Sequence, residues 1–331
     1  MRKIGIAPAA TLLTLVLFAS HAVILGPHTV QAQEAWPSKP VRMIVPFAPG
    51  GPTDVAARLL TQKLAETLGQ QVYVENRAGA TGTIGSEAVA RAAPDGYTLI
   101  MATTGTHAIN FSLYDKPSYD PVKDFAAITR MAVFPNLILV HVSVQAKNIQ
   151  ELIALAKAQP GKLAYASFGS LTLLSGALFT SMAGIDMLSV PFGGVGPLMT
   201  AIINNDVQMS VVPVFSSQPL LKAGKVRALA ITSAKRSPVA PEYLTVAESG
   251  LPGYESVAWY GVLAPAGTPR AVVERLNAEI RRAVASLELN DALLKQGAEP
   301  ATDTPEEFAA IVRADVAKWE KIVKQTGAKP I

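Results

Sequence analysis

The chain has 331 residues, half of them hydrophobic, with no cysteine and a formal charge of +4. The missing thiols exclude a disulfide framework, a lipid-modified N-terminal cysteine, thiolate metal sites and a cysteine nucleophile. A near-neutral balance, with no basic run interleaved with aromatics, excludes an electrostatic nucleic-acid binder.

Arg2 and Lys3 precede an apolar run from Ile6 to about Leu25, and Val30-Gln31-Ala32 fits a small-residue cleavage site. This predicts a secretory signal peptide over residues 1–32. Pro8, His21 and Pro27 break the run too often for a membrane anchor. The remaining chain, about 300 residues from Gln33 to Ile331, is expected as an exported, soluble protein. It is long enough to bury one or two large cores.

Residues 41–47 form a short run rich in β-branched side chains and bounded by prolines, which predicts a buried parallel strand. Ala48-Pro49-Gly50-Gly51-Pro52 turns the chain, and Thr53-Asp54 opens a helix that Gly69 stops. Adjacent glycines admit a ligand close to the backbone, and Pro52 suits a first helical position. The free amides of that turn favour a carboxylate or phosphate, although the same residues also suit an ordinary corner capped by Asp54. A strand over 72–75, a glycine-rich stretch over 76–85, a helix over 84–92 and a strand over 97–103 follow. Residues 115–124 read as a connection.

The second series predicts strands over 136–142, 163–167, 187–192, 207–212 and 226–232. Helices are expected over 148–158, from Phe168-Gly169-Ser170 to about 183, from Gly193-Gly194 to 204, and near 218–222. After a Pro/Ser/Gly-rich connection over 237–254 come a strand over 256–264, a helix reaching 287, and a last helix over about 305–325. Thr304 and Glu307 have capping-box spacing before that last helix. Strands alternating with helical patterns imply an α/β fold with parallel sheets flanked by helices.

Catalytic signatures are weak. His107 and His141 are the histidines left after signal removal, and there is no His-Glu-x-x-His pair and no Gly-x-Ser-x-Gly elbow. Glu306-Glu307 at a helix start read as a solvated face. His141 on an apolar strand reads as structural, whereas His107 at a strand end is a candidate to line a cleft. Gly79-Ala80-Thr81-Gly82-Thr83-Ile84-Gly85 imitates a dinucleotide fingerprint, but Ala80 stands where a glycine is required. The position for the ribose-binding acid, within residues 101–104, offers no carboxylate. No cofactor and no metal are expected.

A stronger pattern is a set of strand ends running into small, glycine- or hydroxyl-rich loops, which in a parallel sheet share one edge. Candidate ligand contacts are Ala48, Pro49, Gly50, Gly51, Thr53 and Asp54 in the first loop, and Thr104, Thr106 and His107 in the second. Ser167, Phe168 and Ser170, then Phe192 and Gly193, supply the other two. Such loops offer amides and hydroxyls but no general base, which suits binding an acid better than transforming it.

Several stretches are familiar as sequence. They include Trp36-Pro37-Ser38-Lys39-Pro40, Ile44-Val45-Pro46-Phe47-Ala48-Pro49-Gly50-Gly51, Val74-Glu75-Asn76-Arg77-Ala78-Gly79 and Pro94-Asp95-Gly96-Tyr97-Thr98-Leu99. They continue with Tyr119-Asp120-Pro121-Val122-Lys123-Asp124-Phe125, Ala223-Gly224-Lys225, Thr232-Ser233-Ala234-Lys235-Arg236-Ser237 and Leu263-Ala264-Pro265-Ala266-Gly267-Thr268-Pro269. In these, over essentially all of the mature chain, the protein resembles the extracytoplasmic solute receptors of the tripartite tricarboxylate transporter family, the Bug receptors. The resemblance implies a two-lobed, type II-like periplasmic binding fold closing on a small organic anion. Lobe one would be 33–135 plus 258–331, and lobe two 136–257. It also implies that one ligand carboxylate is held by the 49–54 loop with 103–107 beside it. The loops 167–172 and 191–197 would contact the remainder.

The chain departs from the family pattern at several points. Pro52 replaces a third glycine, the loop after Tyr165 is two residues short with Leu173 at the usual histidine, and Pro191-Phe192-Gly193-Gly194 replaces Pro-Tyr-Lys-Gly. Ala201 stands at a frequent acid, and Val212-Pro213 at a frequent Asp-Asn pair. With Phe168, Leu171, Phe192, Val212 and Phe215, these changes make the second-lobe wall apolar, so a ligand with one well-held carboxylate and an apolar or aromatic body is expected. The expected protein is a monomeric receptor without catalytic activity. It would serve the membrane permease subunits of a tripartite tricarboxylate transporter, or alternatively present its ligand to a sensor kinase. An exported enzyme on the same fold is the third reading.

Overall fold

A computed structural model describes Met1 and residues 36–114 and 118–329. The predicted signal peptide and residues 115–117 of the predicted connection lie outside the described residues. The first series is β1 (Val41–Val45), α1 (Pro52–Leu68), β2 (Val72–Asn76), α2 (Thr83–Ala90), β3 (Thr98–Thr103) and a short α3 (Asn110–Leu113). A π-helical turn, Gly105–Ile109, joins β3 to α3. The next elements are β4 (Phe125–His141), α4 (Ile149–Ala158), β5 (Ala164–Phe168), α5 (Gly169–Ala183), β6 (Leu188–Phe192) and α6 (Val195–Ile203). They are followed by β7 (Met209–Pro213), α7 (Val214–Lys222) and β8 (Val226–Ile231). The chain closes with β9 (Val257–Pro265), α8 (Arg270–Ala285), α9 (Leu287–Lys295), β10 (Glu299–Pro300) and α10 (Pro305–Thr326).

The result is the expected two-lobed α/β fold, built on one mixed sheet of order β2-β1-β3-β9-β4-β7-β5-β6, with β8 and β10 paired to β4. Pairing is parallel within β2-β1-β3 and within β7-β5-β6. It is antiparallel wherever β9 or β4 is involved. β4 is the hinge-pin of this topology. Its residues from Phe125 to Pro135 pair with β9, and those from Asn136 onward pair with β7 and β8. One strand therefore belongs to both half-sheets, and Pro135-Asn136 is the point of transfer.

Local chemistry explains the boundaries. Gly69 takes a left-handed φ of +67° and donates its amide to Ala65 O, which ends α1. Thr304 and Glu307 form the expected reciprocal capping box at the start of α10. The stretch expected as one helix to residue 287 divides instead at Ser286, whose extended backbone ends α8 and whose hydroxyl caps α9. Burial is greatest on the strands and the faces set on them. Val41, Met43, Leu60, Leu99 and Ile280 close the first half-sheet, and Ile138, Leu174, Phe179 and Met209 the second. α10 serves both sides: Phe308 and Val312 pack with Ile100 and Trp259, and Trp319 and Ile322 join the second half. Arg130 ties β4 to the approach of α10 by two bonds to Asp303, at 2.7 and 2.8 Å.

Candidate functional site

A cleft of about 730 Å³ opens where the two half-sheets meet, at the ends of β1, β3, β5 and β7. Three helices begin at its rim. α1 contributes Pro52, Thr53 and Val55; α5 contributes Gly169, Ser170, Leu171 and Thr172; α7 contributes Phe215 and Ser216 just after Pro213. None of the three has a side-chain cap. α2, α6 and α8 also start uncapped but contribute nothing to the lining. The first amides of an uncapped helix are unspent donors, and the helix dipole adds partial positive charge there. Among the described residues, none that lines the cleft is Lys, Arg, Asp or Glu. An anion in this cleft is therefore met by amides, hydroxyls and dipoles rather than by a counter-charge.

The first loop is held in shape from below. Gly50 has φ +81°, open to glycine and costly for other residues. Its amide donates to Asp54 Oδ2 at 2.9 Å, and Arg58 Nε donates to the same oxygen at 2.9 Å. Asn76 Nδ2 donates to Asp54 Oδ1 at 2.8 Å and to Phe47 O at 3.1 Å. Asp54 is almost fully buried. Burial pushes its carboxyl up, but Arg58, the Gly50 amide and Asn76 outweigh that and bring it down to about 2. Asp54 is thus an ionised staple that fixes the loop, and its own oxygens are already occupied. Val55 N bonds Gly51 O at 3.0 Å to begin the helix, which leaves the Thr53 and Asp54 amides as the unspent pair.

The second loop turns inward. Thr103 and Thr106 bond each other through side chains and backbone, at 3.0 Å from Thr103 N and 3.2 Å from Thr106 N. Thr104 borders the cleft and accepts from Trp259 N at 2.8 Å, tying β3's end to β9. His107 is fully buried, with Nδ1 2.9 Å from Thr106 Oγ1 and its ring edge-on to Phe125 at 4.5 Å. Burial holds it well down, at about 3, so it is neutral. His107 does not line the cleft, because the π-turn after β3 swings its ring toward Tyr119 and Phe125.

Of the sequence-predicted contacts, Gly50, Thr53, Thr104, Phe168 and Ser170 border the cleft. Ala48, Pro49 and Gly51 belong to the same loop without bordering it. Asp54, Thr106, His107 and Ser167 are buried behind it, and Phe192 and Gly193 sit at the end of edge strand β6 outside the lining. In the predicted apolar wall, Phe168, Leu171 and Phe215 are present, while Val212 is wholly in the core. The reading of residues 136–142 and 256–264 as plain strands missed a floor made by β4 and β9: Phe134, Asn136, Ala258 and Tyr260. Phe134 lies opposite Ala258 in the β4–β9 register, and its ring packs at a tilt of 51° against that of Tyr260, with centroids 4.4 Å apart. Burial raises the Tyr260 phenol, offset in part by a hydrogen bond with the Thr53 side chain. Gln296, from the turn after α9, completes the rim and carries no sequence signal.

A family model described as the tripartite tricarboxylate transporter family receptor matches residues 56–328. The chain belongs to this receptor family. It is 38% identical over 312 residues to a UPF0065 protein in the tcbD-tcbE intergenic region of Pseudomonas sp. (strain P51), covering 93% of each chain. Among solved structures, R. palustris Rpa4515 with adipate has 38% identity and a TM-score of 0.73, over 89% of this chain and 100% of that one. MatC from Rhodopseudomonas palustris with bound malate has 36% identity and a TM-score of 0.69, over 87% and 99%. Of these relatives, the two solved structures hold a small acid, adipate in one and malate in the other.

Proposed function

We propose that the protein is a periplasmic receptor that closes on a small organic carboxylate in the cleft and delivers it to the membrane subunits of a tripartite tricarboxylate-type transporter. In this reading residues 1–32 direct export and are removed. The lobes are 33–135 with 258–331 and 136–257, joined through β4 and β9. The observation that carries it is the meeting of three uncapped helix starts in one cleft without a charged side chain. The Gly50–Asp54 loop holds one carboxylate through its amides and through Thr53, with Ser170 and the first turn of α5 facing it. Phe47, Phe134, Phe168, Phe215 and Tyr260 surround the rest of the ligand. That enclosure favours an apolar or aromatic body, since a charged group buried there without a partner is costly. Calorimetric titration with citrate, aspartate and benzoate-type acids tests the ligand class. Preferential binding of the benzoate type is expected, and a clear preference for citrate or aspartate would overturn it.

A further inference from the structure

Among the described residues, one buried polar side chain bordering the cleft is left without a partner. Asn136 is 3% exposed and borders the cleft, yet its Nδ2 makes no hydrogen bond. Its backbone is fully committed: Asn136 N donates to Thr232 Oγ1 at 2.9 Å, and Thr232 N donates back to Asn136 O at 2.9 Å. Its backbone is therefore fixed at the transfer point of β4, opposite Pro213 of β7. A buried amide donor with no acceptor is a standing cost to the folded protein. Neighbouring lining groups do not relieve it. Thr104 Oγ1 is occupied by Trp259 N, and Thr172 Oγ1 is occupied by the backbone of Phe168.

We propose that Asn136 is a specificity-determining contact, whose side-chain amide donates to a second oxygen on the ligand's body, apart from the carboxylate held at the start of α1. This rests on the receptor reading and narrows it. The ligand class becomes an organic acid that carries a further oxygen acceptor, such as a carbonyl, hydroxyl or second carboxyl, on an otherwise apolar frame. A purely hydrocarbon acid, unsubstituted benzoate included, leaves the Asn136 donor unsatisfied, so within the benzoate type the members with a further oxygen should bind more tightly.

Matched acids provide the test: adipate against hexanoate, and 4-oxopentanoate against pentanoate, titrated into the wild-type protein and Asn136→Leu. Leucine keeps the shape and removes the amide. The wild type is expected to bind at least one oxygenated acid about tenfold or more tightly than its hydrocarbon partner, and Asn136→Leu to erase that preference. Without any acid, Asn136→Leu should melt at the wild-type temperature or above it, because a donor lacking a partner has been removed. A ligand-free midpoint lowered by several degrees would assign the amide a structural role and overturn the proposal. So would binding in which the oxygen preference is absent from the wild type or survives in the variant. Failure of all four acids to bind while a benzoate-type acid still binds would also overturn the proposal; failure of that acid as well would count against the receptor reading itself.

Discussion

Replacing Asp54 by alanine tests the view that this residue shapes the anion loop rather than touching the ligand. The carboxylate accepts from Gly50 N, Arg58 Nε and Asn76 Nδ2 at 2.9, 2.9 and 2.8 Å. Arg58 is 53% exposed, so its bond contributes under about 1 kcal/mol. The other two are bonds to a buried charge, worth roughly 1.5 kcal/mol each. Asp54→Ala should therefore cost about 3 kcal/mol at neutral pH and lower the melting midpoint by roughly 5 °C. The pH dependence has a definite sign. The folded carboxyl, at about 2, lies below the ordinary 3.8. Its stabilisation is thus complete above about pH 5 and fades as the pH falls from about 4 toward 2. Thermal melts of wild type and Asp54→Ala at pH 7 and near pH 2 should show a wide gap in the first case and a narrow one in the second. A gap below about 1 kcal/mol at pH 7, or one equally wide in acid, would refute the staple.

His107, held at about 3 by burial, should show no imidazole titration by NMR between pH 8 and 5. Because the unfolded chain takes up that proton near 6.5 and the folded one does not, this residue lowers stability as the pH falls below 6.5. A titration midpoint near 6.5 in the folded protein would place the ring in water. Gly85→Ala would set a Cβ 2.8 Å from Arg77 O and 2.9 Å from Pro46 Cα, both backbone atoms. Urea unfolding should register a loss of about 2 kcal/mol, and an unchanged midpoint would contradict the packing of α2 on β1. Phe134→Ala removes the ring tilted against Tyr260 in the cleft floor. It should weaken binding of an aromatic acid roughly tenfold while leaving short aliphatic acids within threefold, as calorimetry would show.

The strand–loop–helix from Val41 through α1 was readable because several signals agree there: a β-branched run, a proline–glycine turn, proline at a helix start and a glycine stop. The capping box at Thr304 was readable for the same reason. The first two-thirds of β4 was not. Arg130 and Pro135 interrupt its apolar pattern, and register shifts near Thr129 and Ala132 break the alternation that marks a strand. Strand direction was also hidden, since a βα alternation suggests parallel neighbours, whereas β9 and β4 insert antiparallel between them. The cleft floor depended on that insertion. Phe134 and Asn136 meet Ala258 and Tyr260 only through a pairing across more than a hundred residues, which local sequence does not encode. His107 shows the opposite error: a polar residue following a strand end looks like a site residue until the turn type is known.

The central claim is that the cleft holds an anion by helix starts and hydroxyls, with no counter-charge from a side chain. The most direct measurement is a calorimetric comparison of one bound organic acid with its own primary amide, which matches it in shape but replaces the charge and one acceptor oxygen by a neutral NH2 donor. The account predicts that the acid binds about tenfold or more tightly than the amide. Equal affinity for the two, or tighter binding of the amide, would contradict it.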